Sequence, residues 1–207
     1  MDIASSVLLK LEPDQAVALW LEGADQWLAF HPRLDEVETV HHTVHADGMV
    51  EIERRWQGSI ASAPAVLKPF VSPQTCQWTE TITWRPDQKV GEWMRQARHA
   101  PWWAAQGQTR LTTGGSGLHK KTRWLIEGTL TVDPQAFDRV PLFLRARLTD
   151  AFALFAKALG APEAALEAAA FTEAMEQWAG ADEDTAIRDE PDEGDARPEI
   201  DHDSDDG

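Results

Sequence analysis

The sequence predicts an α+β fold in which a curved antiparallel sheet wraps around a long C-terminal helix, with two short helices after the first strand. Strand-like segments rich in tryptophan lie between a helical pair near the N-terminus and an apolar helix near residue 150. Most of these segments alternate apolar and polar residues, the pattern of a strand with one buried face. Short turns join them, which favours an antiparallel meander over a parallel sheet.

A strand and two helices are predicted at the N-terminus. In residues 3–12 the apolar side chains fall largely at odd positions, which predicts a half-buried strand. Pro13 and Asp14 suit the first turn of a helix that ends before Gly23. A second short helix is predicted over residues 25–30 and is stopped by Pro32.

The sheet continues with six predicted strands. Residues 34–43 and 49–60 form a hairpin around Asp47-Gly48, a tight-turn dipeptide. Arg54 interrupts the apolar parity of the second of these strands. The clearest alternation gives one face to Cys76, Trp78, Glu80, Ile82 and Trp84. The remaining strands are predicted at residues 90–97, 107–113 and 118–132.

The C-terminal part is predicted to contain two helices and an acidic tail. Residues 141–159 form a helix with an apolar stripe, and Gly160 stands at its end. That stripe contains Leu144, Leu148, Phe152, Phe155 and Leu159. Residues 162–178 predict a further helix. We expect one domain over residues 1–160, an additional helix within 161–180 and a disordered tail at 181–207.

Charge is concentrated in that tail. The net charge is −16, and 13 of the 35 acidic residues lie at 181–207 beside only two arginines, Arg188 and Arg197. Such a segment buries too little apolar surface to offset its ordering entropy. A solubilising role is the favoured interpretation, and recruitment of a basic protein partner is the alternative.

Composition excludes several functional classes. The single cysteine, Cys76, rules out an intramolecular disulfide framework and fits a reducing cytoplasm. The N-terminus lacks the basic and apolar regions of a secretory signal. No segment approaches the roughly 20 apolar residues of a membrane span, so stable membrane insertion is not expected. The sequence lacks a dense basic patch, so nucleic-acid binding is not expected.

Large aromatic residues on the apolar strand faces are the candidate ligand-binding residues. Core packing is the simpler interpretation of these side chains, and a cavity lining is the alternative. Arg54 and Glu80 lie on the apolar faces of their strands, where they could orient a ligand's polar group. The simpler interpretation is that they pair with each other or reach solvent at the end of the sheet. The adjacent Trp102 and Trp103 are predicted in a connection. The full candidate set is Arg54, Trp56, Trp78, Glu80, Ile82, Trp84, Trp124, Phe152 and Phe155.

No motif predicts a catalytic residue, a metal site or a cofactor. His41 and His45 lie about 13 Å apart along a strand, too far to chelate one ion. The glycines around Ser116 lack the following lysine and helix of a phosphate-binding loop. Ser116 and His119 form no recognisable triad.

The order of the elements resembles the helix-grip order of the START-like superfamily, also called SRPBCC or polyketide-cyclase-like. LEPDQAVALWLEGADQWLAFHP at 11–32 looks like the superfamily's opening, where a strand enters a proline and then two helices. APAVLKPFVSPQTCQWTETITW at 63–84 resembles one bacterial START-like family of unknown function. The resemblance covers roughly residues 3–160. It implies a lipid-, sterol-, polyketide- or hormone-binding space under the last helix, in a minority with cyclisation or dehydration.

The leading functional hypothesis is the binding of a small hydrophobic or amphipathic, lipid-like or polyketide-like ligand. The ligand would lie between the sheet and the helix at 141–159, held by burial of apolar surface. A cyclase- or aromatase-type enzyme in the same cavity is the first alternative. A protein-interaction module is the second.

Overall fold

The computed structural model describes residues 1–65, 67–99, 102–114, 121–133, 142–160 and 164–186. Seven strands and four α-helices follow one another along this part of the chain. In order they are β1 (Asp2–Leu9), α1 (Pro13–Leu21), α2 (Ala24–Leu28), β2 (Leu34–Val44), β3 (Val50–Gly58), β4 (Gln77–Arg85), β5 (Val90–Ala97), β6 (Trp103–Gly114), β7 (Lys121–Val132), α3 (Leu142–Gly160) and α4 (Ala164–Ala186). Three short 3₁₀ turns lie between β3 and β4.

All seven strands form one antiparallel sheet in the order β1-β7-β6-β5-β4-β3-β2. The meander from β2 to β7 uses only neighbouring pairs, and β1 joins the far edge beside β7. The N-terminal ammonium donates a hydrogen bond to the Leu130 carbonyl at 2.7 Å, which fixes this pairing at its outer end. The predicted α+β fold class, with a curved antiparallel sheet and a C-terminal helix, is confirmed.

Contacts divide the chain into Met1–Met175 and Glu176–Gly207. The boundary falls within α4, so the first part of that helix belongs to the same unit as the sheet. The predicted domain limit at residue 160 remains a prediction. So does the disordered tail, of which residues 187–207 lie outside the described residues. None of the helices in the described ranges is long and apolar enough to cross a membrane.

Turn chemistry sets the β2–β3 hairpin. Gly48 has a φ of 83°, a left-handed conformation that glycine adopts without strain. The Asp47 carboxylate accepts a hydrogen bond from the Met49 amide at 3.1 Å.

The start of β6 differs from the sequence-based expectation. The strand begins at Trp103 rather than at residue 107, because Trp103 pairs with Val132 of β7. Trp103 is therefore a buried strand residue, and its prediction within a connection is wrong.

The inner face of the sheet is the face that carries Arg54, Glu80 and Arg95, and the helices cover it. Strand alternation buries its residues, as in β4, where every second side chain from Trp78 to Trp84 is buried. The α1 helix begins with a capping box of Glu12 and Gln15 and places Trp20 against this face. Together these contacts form one apolar core.

The two C-terminal helices contribute different side chains to the core. In α3, Leu148, Phe152 and Phe155 are buried, whereas Leu154 is 63% exposed, which confirms the predicted stripe over its described part. This helix contacts β6 and β7. In α4, Phe171 is fully buried. The core thus receives side chains from both helices.

Gly107 and Gly128 face each other across β6 and β7, and the ring of Trp93 lies over them. A Cβ atom on Gly107 would stand 2.5 Å from Trp93 Cζ2 and would collide with the Glu127 carbonyl oxygen. We therefore expect Gly107→Ala to lower the free energy of unfolding by about 2 kcal/mol through overpacking. Gln106→Ala, on the exposed face of the same strand, should change it by less than about 0.5 kcal/mol. Urea unfolding of both variants measures the difference, and equal stabilities would contradict the close packing at Gly107.

Candidate functional site

A row of charged residues crosses the inner face. In the strand register, Arg54 of β3 stands opposite Glu80 of β4, and Glu80 stands opposite Arg95 of β5. Neighbouring residues of antiparallel strands on one face are close enough to interact. All three are buried, with exposures of 0%, 1% and 7%. Local alternation therefore directs three charges into the apolar interior.

Glu80 lies at the centre of this row. Its Oε1 accepts a hydrogen bond from Arg95 Nε at 2.6 Å, and its Oε2 accepts one from Trp56 Nε1 at 2.9 Å. Arg54 Nη1 lies 3.8 Å from the same Oε2. Both carboxylate oxygens are thus engaged, so this buried charge has the partners that a low-dielectric site requires.

Arg54 also holds the end of α1. Its Nη2 donates hydrogen bonds to the carbonyl oxygens of Trp20 at 2.9 Å and Leu21 at 2.5 Å. The last carbonyls of a helix have no partner within the helix, and a cation there also complements the helix dipole. Burial lowers the pKa of Arg54, and Glu80 opposes this effect. Arg54 therefore joins the sheet to α1.

Glu167 of α4 completes the cluster from the helical side. Its Oε1 lies 3.6 Å from Arg95 Nη2, and its side chain is 6% exposed. Burial raises the pKa of Glu167 to about 7, although the Arg95 charge acts in the opposite direction. We call Arg54, Glu80, Arg95 and Glu167 the charge cluster. It brings together four ionisable groups from three strands and one helix.

Several buried polar atoms around the charge cluster lack a hydrogen-bond partner within the described residues. The donors are Arg54 Nε, Arg54 Nη1 and the indole nitrogens of Trp78, Trp93 and Trp124. The acceptor is Glu167 Oε2. A buried donor without a partner costs about 1–3 kcal/mol, so such atoms are uncommon in a finished core.

Aromatic rings surround the cluster. Trp56 stacks on Trp78 with ring centroids 6.3 Å apart, and Trp78 contacts Trp103 at 5.9 Å. Trp124 meets Trp20 edge-on at 5.8 Å. Apart from the charge cluster and the two buried threonines Thr109 and Thr122, the described interior is therefore apolar and aromatic.

Described residues line an apolar cleft and a wider groove. A cleft of about 280 Å³ lies between α1 and the β2–β3 and β4–β5 turns, where Val50, Trp84 and Leu111 meet Val17 and Leu21. A wider groove of about 450 Å³ has a lining that includes Thr81, Thr83, Gln106 and Gln108, which stand on the outer face. The cleft is the more apolar of the two, and it reaches the inner face at Trp84.

The predicted site residues are all buried, with exposures of 4% or less. The structure brings Arg54, Trp56, Trp78 and Glu80 into direct contact with one another. Phe152 and Phe155 form a separate contact with each other, and Phe152 also meets Trp102 at 5.4 Å. The pairing of Arg54 with Glu80 matches the simpler of the two interpretations offered for these residues. A role in ligand binding stays a prediction for the whole set.

The sequence reasoning missed Arg95, Glu167 and Phe171. Arg95 shares its strand parity with Trp93, and both are buried, so the alternation in β5 contained the necessary signal. Glu167 and Phe171 lie in an alanine-rich helix, where no strong apolar pattern marks the buried side.

The absence of a metal site stays a prediction. Within the described ranges, no three His, Cys, Asp or Glu side chains are grouped to hold a metal ion.

An antiparallel sheet that receives two helices after its first strand, and a C-terminal helix on its inner face, is a helix-grip fold. Solved structures confirm this fold. Zhui aromatase/cyclase from Streptomyces sp. R1128 is 15% identical with a TM-score of 0.57, over 86% of this chain and 95% of that one. TTHA0849 from Thermus thermophilus is 12% identical with a TM-score of 0.52, over 84% and 99%.

A third similar structure is the di-domain aromatase/cyclase StfQ from the steffimycin biosynthetic pathway. It is 11% identical with a TM-score of 0.53, over 86% of this chain and 51% of that one. No family model matches the chain, and no curated protein matches it. At these identities the likeness shows the shared fold, and the function must be argued from the chain's own residues.

Proposed function

We propose that this chain binds one small hydrophobic or amphipathic molecule on the inner face of the sheet, between the sheet and the C-terminal helices. The observation that carries the proposal is the set of unpartnered polar atoms within an aromatic interior. The Trp78 and Trp124 indoles and two nitrogens of Arg54 are hydrogen-bond donors without an acceptor in the described residues. A ligand oxygen would satisfy one or more of them.

Aromatic walls and a few convergent polar groups are what a small-molecule site requires. The candidate residues supply the walls through Trp56, Trp78, Trp84 and Trp124, with Ile82 between them. Phe152 and Phe155 would complete the lining from α3. The cleft beside α1 offers access, because Trp84 lines both the cleft and the inner face.

A cyclase activity is not proposed. Glu80, the only acidic residue of the predicted set, already accepts hydrogen bonds on both oxygens from Trp56 and Arg95. A general acid or base needs an oxygen within reach of the substrate's proton. The arrangement of Glu80 therefore supports orientation and stability over proton transfer.

A matched pair of ligands tests the proposal. 1-Acetylnaphthalene and 1-ethylnaphthalene have nearly the same shape, but only the ketone offers a hydrogen-bond acceptor. We expect each to bind saturably near one-to-one and to change tryptophan emission, with the ketone bound more tightly. Trp124→Phe keeps a ring and removes the indole donor. It should weaken the ketone by about fivefold and leave the hydrocarbon nearly unchanged.

The two possible failures are separable. Equal loss for both ligands would show that the Trp124 indole does not recognise an acceptor, and the binding itself would stand. Absence of saturable binding of either ligand by the wild-type chain would overturn the proposal. Native mass spectrometry of gently purified protein then provides an independent check, since a retained molecule would be weighed directly.

A further inference from the structure

Two side chains of α4 enter the interior as a unit. Glu167 and Phe171 are four positions apart in the helix, so both project from the same side of it. Their exposures are 5% and 0%. The helix therefore presents a carboxylate to the inner face of the sheet and, one turn further along, an aromatic ring.

The carboxylate of Glu167 is held loosely for a buried charge. Its contact with Arg95 Nη2 is 3.6 Å, beyond hydrogen-bond length, while Glu80 makes the 2.6 Å bond to Arg95 Nε. The second oxygen of Glu167 has no partner within the described residues. A buried carboxylate is stabilised only when its geometry is good and both of its oxygens have partners. The carboxylate of Glu167 meets neither condition.

The ring of Phe171 lies between two tryptophans. Its centroid is 4.8 Å from that of Trp124 in β7 and 5.3 Å from that of Trp27 in α2. Trp27 is fixed independently of α4, since its indole donates a hydrogen bond to the Leu19 carbonyl at 3.1 Å. Trp124 belongs to β7, which is paired on both sides, with β1 and β6. The slot around the ring is therefore built by elements other than α4.

Little else fixes the start of α4 to the sheet. Besides Glu167 and Phe171, its buried described side chains are alanines, at positions 168, 170 and 174. An alanine methyl group contributes only about 0.8 kcal/mol on burial. The hydroxyl of Thr172 bonds within the helix, to the Ala168 carbonyl. Met175 is only partly buried against the core, so Glu167 and Phe171 are the two large buried side chains by which this helix docks.

We infer that the ligand of the inner face is an aromatic carboxylate, and that α4 occupies its place with Glu167 and Phe171. This inference rests on the proposed function and names its ligand class. The ligand's carboxylate would pair with Arg95, and its ring would lie between Trp27 and Trp124. Cβ atoms at this helical spacing are about 5–6 Å apart, which corresponds to a short aliphatic spacer between acid and ring. Ligand binding and docking of α4 then exclude each other.

The full-length double variant Glu167→Gln/Phe171→Ala tests the ligand class. It opens the ring slot and removes the competing carboxylate. The probes are 3-phenylpropionate and its neutral analogue 3-phenylpropanamide, measured by calorimetry and tryptophan emission. We expect the acid to bind at least about tenfold more tightly than the amide, since only the acid forms a charge-assisted pair with Arg95.

Two further variants serve as matched controls. Phe171→Ala alone opens the same slot but keeps Glu167, so the acid should lose its advantage. Phe152→Ala opens a ring-sized space in α3, where Phe152 contacts Trp102 and Phe155. Any probe that binds there should show no preference for the acid. Equal binding of acid and amide by the double variant would overturn the assignment of a carboxylate.

The wild-type chain provides a measurement that does not depend on the folding of a variant. Saturating 3-phenylpropionate should increase amide hydrogen exchange in residues 164–175 by about tenfold or more, and 3-phenylpropanamide should not. Unchanged exchange with bound acid would overturn the exclusion between ligand and α4. If the naphthalene pair binds but neither phenylpropyl probe does, the ligand class is wrong and the proposed function stands. If no probe binds any chain, the proposed function fails as well.

Discussion

Glu80→Ala should be strongly destabilising, with a loss of about 4 kcal/mol in the free energy of unfolding. The substitution leaves Arg54 and Arg95 buried without their shared carboxylate. It also removes the acceptor of the Trp56 indole and creates a cavity. Breaking one partner of a buried ion pair commonly costs about 3–5 kcal/mol, because the remaining charge keeps its desolvation penalty.

Glu92→Ala is the matched control for this experiment. Glu92 lies on β5, next to β4, and pairs with Arg85 at 3.1 Å, but its side chain is 50% exposed. Surface pairs of this kind contribute about 0–1 kcal/mol. Urea unfolding of both variants compares the same loss of a glutamate on the two faces of the sheet. Similar small losses would show that the charge cluster is hydrated in solution.

Stability should depend on pH through Glu167, with a total change of roughly 3 kcal/mol. Its pKa is raised from 4.5 to about 7 in the folded chain. Between these values the folded state keeps a proton that the unfolded state has released. The contribution of Glu167 to stability is therefore fully present below about pH 4.5 and is lost as the pH rises through about 7.

His31 acts in the opposite direction over a similar range. Burial and the charges of Arg95 and Arg33 lower its pKa from 6.5 to about 4. Its stabilising contribution is present above about pH 6.5 and is lost as the pH falls through about 4. The two effects partly cancel in the wild-type chain. A flat wild-type profile alone would therefore not contradict the prediction for Glu167.

The variant Glu167→Gln isolates one of these effects. The stability of the wild-type chain minus that of Glu167→Gln should fall with rising pH, when both are unfolded in urea from about pH 4 to 8. His31→Asn is the companion, and its corresponding difference should rise with pH. Parallel profiles of the wild-type chain and Glu167→Gln would show that Glu167 titrates normally and is not buried against Arg95.

The sequence by itself determined which strand residues face inward. Alternation is a local property of an extended chain, so the positions of Trp78, Glu80 and Trp84 on one face followed from their spacing alone. Arg54 was placed inward by the same argument, and the structure buries it. Turn residues, including Gly48, were predictable for an equally local reason.

Only the tertiary structure decided what these inward charges meet. Arg95 approaches Glu80 through the register of β4 with β5, and Glu167 arrives from a helix 87 positions further along the chain. Neither of these contacts can be predicted from local periodicity, because strand register and helix placement depend on contacts between distant segments. The inner-face residues could therefore be read from spacing, whereas the charge cluster and the occupation of the Trp27–Trp124 slot by Phe171 required the folded chain.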